Sequence, residues 1–309
     1  MAEMLFAEIE RVLAVKMPAG TILANRTIQK LAAVIDRESS TSQRLDFVVP
    51  INPVGSRQPL FCIHNVGGDV LTYRKLADYL DKEQTVFGLS LNLEAKNIQH
   101  PISIVDLARC YIQEISTVQP NGPYYLAGHS LGGLIAYEIS RQLQEQNQVV
   151  ALLAMLDTRL LNKKRRKPLW KKLKHNYQKL ASVPFLQIFH YLKQKTLDEI
   201  ERLKVKRFMR SYPAPLDKKL NQTALKKNLL QYAGRNYKPE SYQGTITYFN
   251  AKQGQKNYAE ETLKGWANLA ERVQVVDIDA NHSTIVREPA VKELACKLEE
   301  ALKASTQVT

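Results

Sequence analysis

The chain has 309 residues, 44% hydrophobic and 24% charged, a globular composition long enough for one large domain or a domain with an appendage. Its longest apolar run, Val149 to Leu156, is eight residues, too short to span a bilayer, and Met1 to Glu10 is amphipathic and acidic with no apolar h-region. Three scattered cysteines, Cys62, Cys110 and Cys296, suggest neither a disulfide framework nor a metal site, so a reducing, cytoplasmic setting without a membrane span is expected.

The formal net charge of +14 is distributed unevenly. Leu160 to Glu240 holds 22 lysines and arginines against five acids, a balance of +17 that leaves −3 for the remainder. The basic character therefore belongs to one segment.

Residues 1–37 read as a small helical unit. Leu5, Ile9, Val12 and Leu13 recur at helical spacing, and Thr27 to Ile35 forms a second amphipathic pattern, with a loop from Val15 to Thr27 between them. Ser39-Ser40-Thr41-Ser42-Gln43 marks a polar linker over 38–46. A larger domain, 47–305, starts near Phe47. Its predicted elements alternate: strand Pro59–His64, helix Tyr73–Leu80, strand Thr85–Leu89, helix Ile104–Val118, a strand from Tyr124 and a helix from Leu134, then strand Val149–Asp157. Residues 160–235 interrupt the rhythm as a mostly helical, basic and aromatic insert. Strand Thr245–Asn250, helix Ala259–Leu269, strand Val273–Ile278 and helix Pro289–Leu302 then resume it. Continuous apolar strands alternating with helices imply a parallel sheet covered on both faces.

The stretch that organises this domain is Tyr124-Tyr125-Leu126-Ala127-Gly128-His129-Ser130-Leu131-Gly132-Gly133. A G-x-S-x-G sequence between a buried strand and a helix is the nucleophile elbow of the α/β-hydrolase fold. The turn holds its serine in strained geometry, and the tight neighbours leave no room for bulky side chains. A serine hydroxyl needs a base to take its proton. Of six histidines, His282 lies directly after the last apolar strand, where this fold keeps its base. The orienting acid is expected at a strand end. Asn250 ends its strand with no carboxylate nearby, whereas Leu156-Asp157-Thr158 puts Asp157 at the carboxyl edge of the strand after the elbow. Asp279, though close to His282 in sequence, is expected to cap the following turn. An oxyanion hole needs two converging N–H donors. Leu131 should supply one, and the loop Asn65-Val66-Gly67-Gly68 the other, with Val66 the candidate and Asn65 or Gly67 its near neighbours.

Leu60 to Gly68, Tyr73-x-x-Leu76-Ala77, Gly128 to Gly133, Leu156-Asp157-Thr158 and Asn281-His282-Ser283 together resemble the thioesterase domains that end nonribosomal peptide and polyketide synthetases. The similarity covers roughly residues 50–300. An acid on the strand directly after the elbow is typical of that family. The N-terminal unit resembles the C-terminal half of an acyl- or peptidyl-carrier domain, through Leu5-Phe6-x-x-Ile9-x-x-Val12-Leu13-x-Val15-Lys16-x-Pro18 and Thr27-Ile28-x-x-Leu31-Ala32. The serine that bears phosphopantetheine in carriers lies upstream of the first of these helices, so no residue here takes that role. A plain helical extension is the simpler alternative. The resemblance implies an α/β-hydrolase with a helical lid at about 160–235, acting on acyl thioesters held on the phosphopantetheine of a carrier protein and needing no cofactor or metal of its own. Ser130, Asp157 and His282 would be its catalytic triad, and the N–H groups of Val66 and Leu131 its oxyanion hole.

Lys163-Lys164-Arg165-Arg166-Lys167, with Lys171, Lys172 and Lys174, puts eight cations in twelve residues. A solvated helix face or linker accounts for such a run, while nucleic-acid binding is disfavoured because no recognition module accompanies it. Under the thioesterase resemblance, a positive lid would steer anionic carriers toward the entrance. A carboxylesterase or lipase acting on oxygen esters is the alternative, disfavoured because Asn65-Val66-Gly67-Gly68 is not the HGGG-type run of that group. A non-enzymatic interaction protein is disfavoured by the intact Ser130, Asp157 and His282.

Overall fold

A computed structural model describes residues 5–6, 9, 17, 19–38, 45–93, 95, 102–160, 222–253 and 256–306. The basic run at 163–174 and most of the expected insert lie outside the described residues. Within them, β1 (Val48–Asn52), β2 (Arg57–Ile63), β3 (Gln84–Leu89), β4 (Tyr124–His129), β5 (Val150–Leu156), β6 (Tyr242–Ala251) and β7 (Ala270–Ile278) form one sheet. The strand order is β1-β3-β2-β4-β5-β6-β7. β1 runs antiparallel to β3, and all other pairings are parallel, so the expected mostly parallel α/β-hydrolase sheet is present. β1 was not among the predicted strands. Pro50 interrupts its apolar run, and proline is confined to sheet edges because it cannot donate to a ladder. β1 occupies that edge, with a register shift between Pro50 and Asn52.

The helices are α1 (Ile28–Glu38), α2 (Arg74–Tyr79), α3 (Ile104–Val118), α4 (Leu131–Glu145), α5 (Gln222–Asn236), α6 (Lys256–Ala267) and α7 (Ala290–Thr306). Alternate residues of the central strands feed two apolar clusters. Phe61, Ile63, Leu126, Leu153 and Met155 pack with α3, α4, α5 and Trp266 on one face. Leu60, Cys62, Ala127, Leu152 and Ala154 pack with α2 and α7 on the other. The central strands β4 and β5 are buried along nearly all their length because both faces of the sheet are covered there.

Glu114 of α3 fastens the start of the domain. Its buried carboxylate accepts N–H bonds from Asp46, Phe47 and Val48 at 2.6, 2.8 and 2.9 Å, while burial raises its pKa. Ala19–Leu23, expected within a loop, forms a 3-10 turn. Leu23 is buried in the same cluster as Val49, Val70 and Leu80, and Arg26 Nη2 lies 2.7 Å from Asp78 Oδ1. Residues 19–26 are thus packed onto the α2 face of the sheet. Of the expected insert, α5 is described, and it is helical as predicted. Leu225, Leu229, Leu230 and Ala233 bury its inner side. Among the described residues, no helix is long and apolar enough to cross a membrane.

Candidate active site

Every residue of β4 is buried, and Ser130 follows it at φ 58° and ψ −117°. A serine holds such backbone angles only where its surroundings over-determine them. The glycines supply that constraint. A Cβ on Gly128 would lie 2.3 Å from the Gly132 carbonyl carbon, and one on Gly132 would lie 2.4 Å from the Ile63 oxygen. The chain therefore folds back on itself tightly, Ser130 N–H donates to Leu156 O at 3.0 Å, and α4 starts at the next residue. Its amino end faces the serine, where the helix dipole favours negative charge.

Asp157 follows β5, the strand beside β4, at φ 44°. It is buried, and its N–H donates to Phe249 O at 2.8 Å. Thr158 behind it is fully buried, and its carbonyl accepts the Trp266 indole N–H at 3.0 Å. His282 lies in the loop after β7. Its Nδ1 is 2.5 Å from Asp157 Oδ2, and its Nε2 is 3.0 Å from Ser130 Oγ. The three residues, 152 positions apart at the widest pair, meet at the carboxyl ends of three parallel strands, where open α/β sheets hold their ligands.

Asn281 shapes the His282 loop. Its Oδ1 accepts the N–H groups of Ser283 and Thr284 at 2.9 and 3.2 Å, and its own N–H donates to Thr284 Oγ1 at 3.0 Å. The capping role expected of Asp279 thus belongs to Asn281. Asp279 instead accepts from Gln253 Nε2 at 3.1 Å.

The loop after β2 lies beside the first turn of α4, as the contact between Gly132 and the Ile63 and His64 carbonyls requires. Asn65 organises it. Its side-chain oxygen accepts Gly67 N–H at 2.7 Å, and its carbonyl accepts Gly68 N–H at 3.0 Å. Gly67 N–H is therefore committed within the loop. Among the described residues, the Val66 and Leu131 N–H groups have no acceptor. α5 roofs this loop: a Cβ on Gly68 would meet Lys226 Cδ at 3.4 Å and Leu230 Cδ1 at 3.7 Å.

Two further histidines surround the site. His64 Nδ1 is 2.6 Å from Asn65 O and its Nε2 is 2.7 Å from Tyr111 Oη. Burial pushes its pKa down to about 4, with Lys226 adding to the effect. His129 Nε2 is 2.8 Å from the His282 carbonyl oxygen. Burial, then the neighbouring His282, lower its pKa to about 4. His100, His175 and His190 lie outside the described residues. Tyr73, buried on the other face, donates its hydroxyl to Ile63 O at 2.7 Å and accepts His129 N–H at 2.8 Å. No role for Tyr73, His129 or Asn281 is legible in the sequence. Only Asn281, an Asx residue directly before the base, left a local signal, that of a turn former.

A mostly parallel sheet of this order, carrying serine, aspartate and histidine in that chain order at its strand ends, defines an α/β-hydrolase. Within that class the chain belongs to the thioesterase domain family, whose model matches residues 58–302. It is 30% identical to a dimodular nonribosomal peptide synthase of Bacillus subtilis, over 98% of this chain and 13% of that protein. With enterobactin synthase component F of Escherichia coli K12 it shares 31% identity over 51% of this chain and 12% of that protein. The chain thus spans only about an eighth of the length of these two relatives. Among solved structures, a four-domain nonribosomal peptide synthetase, AB3403, matches 97% of this chain and 23% of its own, with TM-score 0.62 and 25% identity. The NocB thioesterase domain matches 83% of this chain and 99% of its own, with TM-score 0.59 and 19% identity, a likeness of fold.

Proposed function

We propose that this protein is a serine thioesterase that releases, by hydrolysis or cyclisation, or edits acyl or peptidyl chains held as thioesters on a phosphopantetheinyl carrier protein. The observation that carries the reading is the placement of His282 between Asp157 and Ser130, at 2.5 and 3.0 Å, in a chain of the thioesterase domain family. Relatives that are nonribosomal peptide synthases favour carrier-bound chains over oxygen esters. In this reading Ser130 Oγ attacks the thioester carbonyl carbon as its proton passes to His282 Nε2. Asp157 accepts from His282 Nδ1, holds the ring and stabilises its charged form. The tetrahedral oxyanion takes hydrogen bonds from Val66 and Leu131 N–H. Collapse breaks the C–S bond, and His282 returns the proton to the departing pantetheine thiolate. The acyl-Ser130 ester is then cleaved by water, or by a nucleophile within the chain, with His282 again taking the proton. No cofactor enters these steps. The setting is taken to be the cytoplasm, and the basic segment at 163–174 would attract the anionic carrier.

Comparing rates on an acyl-N-acetylcysteamine thioester and on the matching p-nitrophenyl ester, with Ser130→Ala as control, tests the proposal. Preference for the thioester, lost in Ser130→Ala, is expected. Preference for the oxygen ester would contradict it.

A further inference from the structure

We propose that His129 and Tyr73 are positioning residues that tie the base loop and the loop after β2 to the nucleophile elbow. The inference rests on the triad reading above and deepens it.

A carbonyl oxygen can only accept, so His129 Nε2, 2.8 Å from the His282 oxygen, carries the hydrogen. His129 is 6% exposed, and its other ring nitrogen, Nδ1, is buried with no hydrogen-bond partner among the described residues. An unpaired buried acceptor costs free energy that a leucine or phenylalanine of similar size would not incur. One polar contact offsets that cost, and it lands on the backbone of the base. The two imidazoles lie 4.9 Å apart, so a shift of the His282 backbone carries directly into the distance between His282 Nε2 and Ser130 Oγ.

Tyr73 acts on the other side of the serine. The parallel ladder between β2 and β4 ends at the pair Ile63 and Gly128. Beyond that pair the strands must part to leave room for a substrate. The fully buried Tyr73 hydroxyl is inserted there, donating to Ile63 O at 2.7 Å and accepting His129 N–H at 2.8 Å. One oxygen atom thus replaces a direct ladder bond and sets the gap between the Asn65–Gly68 loop and the elbow. Residue 129 is tied by its backbone to Tyr73 and by its side chain to His282, which makes it the common anchor of both loops.

The test uses the full chain and a fluorophosphonate probe, which reports activation of Ser130 without any thioester. His129→Phe removes the donor and keeps a ring, while His129→Gln restores a donor near the Nε2 position. Tyr73→Phe removes one oxygen. His129→Phe should label about 10- to 100-fold more slowly, since displacements of an ångström cost that much, and Tyr73→Phe about tenfold more slowly. His129→Gln should recover to within about threefold of the parent. The downfield proton of the Asp157–His282 bond should weaken in His129→Phe and return in His129→Gln. Labelling of His129→Phe and Tyr73→Phe at the parent rate would overturn the proposal, and so would His129→Gln as slow as His129→Phe. If His129→Phe fails to fold, Tyr73→Phe and His129→Gln decide it: the proposal stands on a slow Tyr73→Phe with a near-parent His129→Gln, and falls otherwise. Failure of the parent protein to label would contradict the triad reading itself.

Discussion

β4 is buried at every position, whereas β7, at the opposite edge of the sheet from β1, leaves most of its residues half or fully exposed. Each nevertheless leads into a residue of the proposed triad, Ser130 directly after β4 and His282 in the loop after β7. Ser130 is held chiefly by backbone geometry: a positive φ, two glycines that admit no Cβ, and a strand N–H bond. His282 follows a strand with one open edge, and its loop is held by hydrogen bonds to the side chains of Asn281, Thr284 and His129. Steric placement tolerates no substitution, because backbone atoms cannot move aside cheaply. Placement by hydrogen bonds degrades in steps, each worth about 1 kcal/mol.

Removing the partner that orients the base breaks the chemistry and spares the frame. Asp157→Asn should lower kcat by about 10⁴-fold while the fold persists, as read by thermal melting beside the activity assay. Unchanged turnover would exclude Asp157 as the acid. Gly132→Ala attacks the steric side. Its Cβ would meet the Ile63 and His64 carbonyl oxygens at 2.4 and 2.6 Å, so a loss of about 3 kcal/mol of stability is expected by denaturant titration.

A third test uses the buried histidines around both loops. Burial holds His64 and His129 near pKa 4 in the folded protein, against about 6.5 in the unfolded chain. Between those values the unfolded state binds more protons, so stability falls as pH drops from about 6.5 towards 4. Each ring should cost roughly 3 kcal/mol over that window. His129→Gln should flatten the acid limb of a Tm-against-pH curve relative to the parent protein. The smallest effect is expected at Asn281→Ala, which removes two loop bonds and should reduce kcat about tenfold with KM little changed. A decline as large as that of Asp157→Asn would erase the contrast between the two ends of the sheet.

What the sequence made legible follows the same division. The elbow is spelled within six consecutive residues, Gly128 to Gly133, because its constraints are local. The strands carrying Ser130 and Asp157 are continuous apolar runs buried on both faces, and their ends could be read within a residue or two. β7 was harder to delimit. It starts at Ala270, three positions before the expected Val273, because the polar Glu271 and Arg272 give no apolar signal on an edge strand. β1 was hidden by Pro50. The contacts of His129 reach 56 residues back to Tyr73 and 153 forward to His282, and no local pattern encodes such pairings. Asp279 and Asn281 are both plausible caps by type, and only the folded loop distinguishes them.

The central claim is that Ser130, activated by His282, becomes acylated by a thioester. Intact mass of the protein after incubation with an acyl-N-acetylcysteamine thioester, followed by peptide mapping, tests it most directly. An adduct of the acyl mass on the peptide containing Ser130, absent from Ser130→Ala and slowed in His282→Ala, is the predicted result. Thioester turnover with the adduct on another residue, or turnover that persists in Ser130→Ala, would contradict the account.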